Sequence, residues 1–304
     1  MEFTHWELKV LAHQYLLTGD ESYAYTACDI WRSWLTQVTC PGVSASAYKT
    51  KAFRTIEIGI RLGSTWPYAM HALSTSCHMD EELLNSIYES VRQQAERLIT
   101  CHTSGNWLLI EMNGLLHASM CFPGIKGTDT WHDFAADKLV AEVDRQFYED
   151  GMHYELSTLY HEVAINNYCR YVCMAQALGK KVPEKITATL RKACLAEVLL
   201  MMPDGRLPNL NDGEWFDVAT LLSSRPDGLV DDEILFWLMD GTTTPPTSLE
   251  GHHNHLFSHA GLVVMRDGWG KVTAGRLWMR VRLVLDTSMK TSSRFSTTLV
   301  ASFC

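Results

Sequence analysis

The sequence predicts a mainly α protein, a layered array of antiparallel helices such as an α/α toroid, followed by a β-rich unit. Three observations carry that reading. Apolar residues recur at three- and four-residue steps in eight successive segments up to about residue 200. Polar, glycine- or proline-bearing breaks of a few residues separate them. Past residue 250, "HLFSHAGLVVMRDGWG" is a β-branched and aromatic run bounded by glycine, the pattern of a strand and turn.

In chain order the helical segments are "HWELKVLAHQYLLTG", "SYAYTACDIWRSWLTQV", "FRTIEIGIRLGSTWPYAMHAL", "DEELLNSIYESVRQQAERLITCHT", "NWLLIEMNGLLHASMCF", "TWHDFAADKLVAEVDRQFY", "TLYHEVAINNYCRYVCMAQALG" and "ITATLRKACLAEVLLMM". Gly19-Asp20, Pro41-Gly42, Gly105, Pro123-Gly124, Asp150-Gly151 and Gly179 to Pro183 supply the stops and caps. Several helices are apolar on more than one face, which favours a layered array over a single four-helix bundle. No fixed-period repeat supports a solenoid. "DGTTTPPTSLEGHHNH" reads as a linker, so residues 1–245 form the toroid domain and a β-rich unit occupies 246–304.

Composition narrows the function. With 304 residues, 46% hydrophobic and 20% charged, the chain can bury a large core. A net charge of −9, with 26 basic residues spread among 35 acids, argues against a nucleic-acid surface. No run approaches the roughly 20 apolar residues of a membrane span, and the opening residues lack a signal-peptide pattern. Nine cysteines, at 28, 40, 77, 101, 121, 169, 173, 194 and 304, form no CxxC pair and read as buried free thiols.

Three islands concentrate side chains able to do chemistry: Asn106-Trp107 with Glu111 and Asn113; Tyr154-Glu155 with Tyr160-His161; and "RLPNLND" at 206–212. Each has an ordinary structural explanation. Asn106 stands where helix caps stand, Tyr160 is able to pack its ring and bond its hydroxyl to backbone, and the third island is rich in turn formers. His252, His253, His255 and His259 match no closed zinc spacing and read as a solvated loop. Glu111 with Glu155 suggests a glycosidase acid pair, and their separation is not set by sequence.

Taken together, "GNWLLIEMNGLLHASMCFP", "DRQFYEDGMHYELSTLYHEVAINNY", "MMPDGRLPNLND" and "FSHAGLVVMRDGWG" resemble, in the same order, the heparinase II/III-like polysaccharide lyases. The resemblance begins near residue 53, more weakly near residue 5, and runs to about 278. It implies an incomplete α/α toroid of antiparallel helical hairpins followed by the first strands of an antiparallel β-sandwich domain, with an acidic polysaccharide, heparan sulfate-like or alginate-like, cleaved by β-elimination next to a uronic acid. Asn106 then neutralises the uronate carboxylate, with Asn113 assisting. Tyr160, or failing it Tyr154, is the proton-transfer tyrosine. His161, Glu155, Glu111 and Trp107 line the cleft, and Arg54, Arg61 and Arg170 are candidates for sulfate or carboxylate contacts. No metal or organic cofactor is implied. A periplasmic or secreted setting is, through an upstream segment able to carry a signal peptide. Two other readings stand beside it: a non-catalytic glycan-binding remnant, and a toroid hydrolase using Glu111 or Glu155.

The family also places a histidine motif close to "DAGPFGxGHQHEDKLSF" shortly after "VMRDGWG", where this chain has "RLWMRVRLVLDTSMKTSSRFSTTLVASFC". Joining the third codon base of each residue from Trp278 to the first two of the next gives a shifted frame. Trp278-Met279 then necessarily encodes Asp and Met289-Lys290 necessarily encodes Glu, where the family has them. Residues 278–304 are therefore expected to be an out-of-frame translation, with activity impaired by the lost sandwich wall. Sequencing the gene through the codons for residues 265–304 checks this: a base gained or lost near codons 272–278 is the expected result, and a clean frame shared with relatives contradicts it.

Overall fold

All eight segments read as helical form helices in the structure, a computed structural model describing residues 4–42, 46–48, 50–240, 244–266 and 268–269, with the backbone pairing of Leu277–Trp278 to Ser302–Phe303. Apart from that pairing, the expected out-of-frame stretch lies outside the described residues. The chain divides into two compact units, residues 1–142 and 143–304. The toroid-to-sandwich boundary read near residue 246 is a division by composition and is distinct from this one.

In the first unit, α1 (Trp6–Thr18) and α2 (Glu21–Gln37) form a hairpin across Gly19 and Asp20. Gly19 takes φ 69° and returns its N–H to the Tyr15 carbonyl, while the Asp20 carboxylate accepts from the Ser22 N–H at 2.9 Å. Trp31 and Trp34 of α2 meet Trp66 edge-on, with ring centroids 5.2 and 5.4 Å apart. Edge-to-face aromatic packing of this kind adds to the burial of their large apolar area.

The single helix expected over 53–73 is instead α3 (Thr55–Ile60), a π turn (Arg61–Thr65) and α4 (Trp66–Leu73). Pro67 is the cause: it has no N–H for the preceding turn, and the Trp66 N–H reaches back five residues to Arg61. Arg61 is therefore a core residue, which corrects its reading as a surface contact. Its Nε donates to Gln94 at 2.8 Å, its guanidinium lies 5.1 Å from the Trp34 ring centre, and burial lowers its pKa to about 9.

Asp80 caps α5 (Glu81–Cys101) by accepting from the Leu83 N–H at 2.8 Å. α6 (Asn106–Cys121) then crosses α3 at two glycines. A Cβ on Gly114 would stand 2.6 Å from the Gly59 carbonyl oxygen, and one on Gly59 would stand 2.8 Å from that of Ile110. Only bare backbones fit there. α7 (Thr128–Gln146) runs across the boundary between the units.

The second unit contains α8 (Thr158–Ala177), α9 (Glu184–Leu200) and two short helices, α10 (Val218–Ser223) and α11 (Asp232–Asp240), that the turn-rich sequence after residue 203 hid. The strand-and-turn reading holds: β1 (Asn254–Phe257) pairs antiparallel with β2 (Leu262–Met265), with Asn254 opposite Met265. Asp150 anchors the hairpin's turn, its Oδ2 accepting from the His259 and Ala260 N–H groups at 2.8 and 2.9 Å.

Arg225, after α10, ties this unit together. Its Nη2 donates to Glu162 of α8 at 2.5 Å and to Glu197 of α9 at 3.2 Å, and its Nη1 donates to Asn166 at 2.8 Å. All three charged side chains are buried. Burial first, and then the neighbouring Glu162 carboxylate, push the Glu197 pKa well above the usual carboxylate range, against the pull of Arg225.

The thiols correct one expectation. Cys28, Cys169 and Cys194 are buried free thiols, whereas Cys40 and Cys101 are half-buried and Cys77, Cys121 and Cys173 are exposed. Among the described residues no helix is long and apolar enough to cross a membrane.

Replacing Arg225 with leucine strands two acids in the core and is expected to cost about 3–5 kcal/mol. Urea denaturation measures it, and an unchanged midpoint would show that the ion cluster does not hold the unit.

Candidate active site

In the first unit the candidate chemistry sits at the start of α6. Gly105, with φ 70° and ψ −150°, occupies a conformation essentially closed to residues bearing a Cβ. It is Gly105 that forms the N-cap, and Asn106 is the first helical residue, so the reading of Asn106 as the cap is corrected. Asn106 is buried.

Two buried carboxylates hold the backbone leading to it. Glu111 accepts from the Thr103 N–H at 2.8 Å and from the Thr103 hydroxyl at 2.9 Å, and Glu142 accepts from the Gly105 N–H at 3.2 Å. Burial raises the Glu111 pKa, and the hydrogen bonds from Thr103 oppose the rise. Glu111 is wholly buried, which corrects its placement as a cleft-lining group or hydrolase acid: it shapes the 102–105 loop from beneath. Asn113 is also buried, its amide donating to the Leu109 carbonyl one turn back at 2.8 Å.

Trp107 is half-buried, next to an exposed Tyr48 at 5.3 Å between ring centres, and the Arg54 guanidinium lies 5.9 Å from the Trp107 ring centre. Arg54 also pairs with Glu57. The result is an aromatic and cationic shelf beside Asn106, a surface type that suits sugar rings bearing anionic groups.

In the second unit, residues 147–158 fold into a tight turn. Phe147 and His153 form an antiparallel bridge, the Tyr154 N–H donates to the Gln146 carbonyl at 2.9 Å, and Gly151 at φ 87° lies so close to α9 that a Cβ would stand 2.4 Å from the Lys192 carbonyl oxygen. Ser157 then caps α8, its side chain accepting from the Tyr160 N–H.

His161 faces inward, which corrects its assignment to a sugar-binding wall. Its Nδ1 accepts from the His153 N–H at 3.2 Å and its Nε2 donates to the Ala193 carbonyl at 3.3 Å. His153 repeats the pattern, Nε2 donating to Gln146 Oε1 at 3.0 Å and Nδ1 accepting from the Glu155 N–H at 3.3 Å. Burial above all lowers the His161 pKa to about 4 and the His153 pKa to about 3, so both rings are neutral at pH 7.

Tyr154, Glu155 and Tyr160 reach the surface. Tyr154 is 37% exposed and donates its hydroxyl to Glu155 at 2.8 Å. Tyr160 is half-buried, and no described residue bonds its hydroxyl, so the phenol is open to an incoming group while its backbone is held. The third island docks onto this turn: Asn211, at φ 51°, donates its amide to the Leu156 carbonyl at 2.9 Å, and Gly213 lies against Thr158. Arg170 is exposed on α8. His252, His253, His255 and His259 do not converge as a ligand group among the described residues.

Sequence reasoning missed the residues that act from behind. Gln146 and His153 lie within the second quoted motif and Glu142 just before it, but no role was read for them, and only their contacts with the turn and loop reveal one. Ser157 was detectable as a cap residue just before a helical run.

A family model described as Heparinase II/III N-terminus matches residues 3–227. A heparin-sulfate lyase of Pedobacter heparinus is 28% identical over 275 residues, covering 88% of this chain and 40% of the relative. One from Bacteroides thetaiotaomicron is 24% identical over 279 residues, covering 85% and 39%. The chain thus spans about two fifths of the curated relatives it matches. Among solved structures, a crystal structure of heparinase III superposes with a TM-score of 0.77 at 22% identity, over 92% of this chain and 44% of that one. The fold is therefore that of an α/α toroid leading into antiparallel strands.

The buried histidines give a pH signature. Below pH 6.5 the unfolded chain protonates them while the folded chain does not, so stability falls from pH 6.5 toward pH 4. For His161 the loss is roughly 3 kcal/mol, from a pKa falling from 6.5 to about 4. Urea midpoints followed across that range should fall less steeply in His161→Gln than in the parent; parallel slopes contradict a neutral buried His161.

Proposed function

The chain belongs to the heparinase II/III family, and on that premise we propose that it is the helical part of a polysaccharide lyase that cleaves a uronate-containing, heparan sulfate-type chain by β-elimination. The C5 proton of a uronate is too weakly acidic to leave unless the adjacent carboxylate is neutralised. Asn106 is assigned that task through its amide donors. The Tyr160 hydroxyl transfers a proton at C5 or at the departing glycosidic oxygen. As the C5–H and C4–O bonds break, a C4–C5 double bond forms, and the other fragment leaves with a free hydroxyl.

The observation that carries the reading is the state of Tyr160: a phenol with no bond to any described residue, on a backbone fixed by Ser157 and by a turn locked through His153 and His161. The Tyr48, Trp107 and Arg54 shelf supports an anionic sugar as ligand, and the relatives, which are heparin-sulfate lyases, support the substrate class.

Incubation with heparan sulfate, with alginate and hyaluronan in parallel, tests the reading through the ultraviolet absorbance of the unsaturated uronate that only elimination creates. Absorbance should rise with heparan sulfate, and Tyr160→Phe should slow it about 10²-fold or more. New reducing ends without absorbance would replace the proposal with hydrolysis, and binding without cleavage would replace it with a glycan-binding role.

A further inference from the structure

Away from these residues, one group of side chains combines the donor types that proteins use for transition metals. Glu21, the first residue of α2, faces the 74–80 turn between α4 and α5, which carries Ser76, Cys77 and His78. Its Oε2 lies 4.0 Å from Cys77 Sγ and 4.0 Å from His78 Nε2. The three ligand atoms all fall within 4.8 Å of one another.

We propose that Glu21, Cys77 and His78 bind one divalent ion of the zinc class and leave a fourth coordination position open to water. Zinc takes carboxylate oxygen and imidazole nitrogen at about 2.0–2.2 Å and thiolate sulfur at about 2.3 Å, so the edges of a tetrahedral site run to roughly 3.3–3.6 Å. Each present gap closes by about 1.5 Å or less to reach that geometry. The side chains have room for it, with Glu21 44% and His78 32% exposed.

The ligands are also held from behind, as metal ligands generally are. The Tyr15 hydroxyl donates to Glu21 Oε1 at 3.1 Å, and the Ser76 hydroxyl donates to Oε2 at 2.6 Å. The Arg32 Nη2 donates to the His78 carbonyl at 2.8 Å, and Tyr25 meets the His78 ring edge-on at 5.3 Å. Arg32 is itself paired with Asp80 at 2.6 Å, so its charge is balanced close to the site. On binding, the Cys77 thiol gives its proton to solvent, and the resulting thiolate and carboxylate together match the charge of a dication. The thiolate favours zinc or cobalt over magnesium or calcium. Sequence spacing gave no sign of the site because its ligands come from two segments more than fifty residues apart, Glu21 and Cys77 being separated by 56 positions.

Titration of the metal-free chain with Co²⁺ tests the site without reference to catalysis. A saturating, equimolar spectrum with a sulfur-to-cobalt charge-transfer band is expected, and Cys77→Ser should abolish that band. Zn²⁺ should displace Co²⁺, and Ser76→Ala should weaken binding by about tenfold or more. In the unsubstituted chain, Zn²⁺ should also protect Cys77 from alkylation while the exposed Cys121 and Cys173 continue to react. That measurement stands whether or not the variants fold. The proposal fails if binding is absent, if it persists unchanged in Cys77→Ser and His78→Ala, or if Zn²⁺ leaves Cys77 as reactive as before.

Discussion

The second unit depends on one guanidinium. Arg225 lies out of water between Glu162 and Glu197, and so joins α8, α9 and the segment after α10 at one point. An arginine is suited to this because its planar, permanently charged fork satisfies several acceptors at once. A buried cation is tolerable only when its acceptors are in place, so the cluster demands that the three segments meet in one arrangement. Glu162 is two residues along α8 from Tyr160, and the same helix therefore carries the structural anchor and the candidate proton-transfer group.

Both candidate regions are built in the same way. In each, the group proposed to meet a substrate sits at the start of a helix, and the segment before it is held by buried polar side chains that never reach the surface. Glu111 and Glu142 hold the approach to Asn106, and His153 and His161 hold the approach to Tyr160. Such support costs desolvation, which shows in the raised Glu111 pKa and the lowered histidine pKa values. The return is a fixed backbone beneath a side chain whose placement has to be accurate.

The glycines serve the same end. Gly105 turns the chain so that Asn106 enters α6 buried, and Gly59 with Gly114 lets the backbones of α3 and α6 meet directly. Gly151 does this for the turn before α8, where any side chain would strike the backbone of α9.

The helical periodicity, the breaks and the four ordered motifs were legible in the sequence because they are local: each depends on residues within a turn or two, and the physics of capping and amphipathic burial acts at that range. Hence the eight helical segments and the 254–265 hairpin were readable from the chain itself. Side-chain direction was not. His161 follows Tyr160 directly and looked like its partner, yet neighbours on a helix point about 100° apart, and packing against α9 turned His161 inward. Glu111 and Arg61, charged and apparently available, became core residues because partners distant in sequence satisfied them. The sequence by itself determined which segments are helices and where polar chemistry gathers; only the tertiary structure decided which of those polar groups reach the surface and which are buried as supports, because that choice depends on long-range hydrogen bonds and ion pairs that no local pattern encodes.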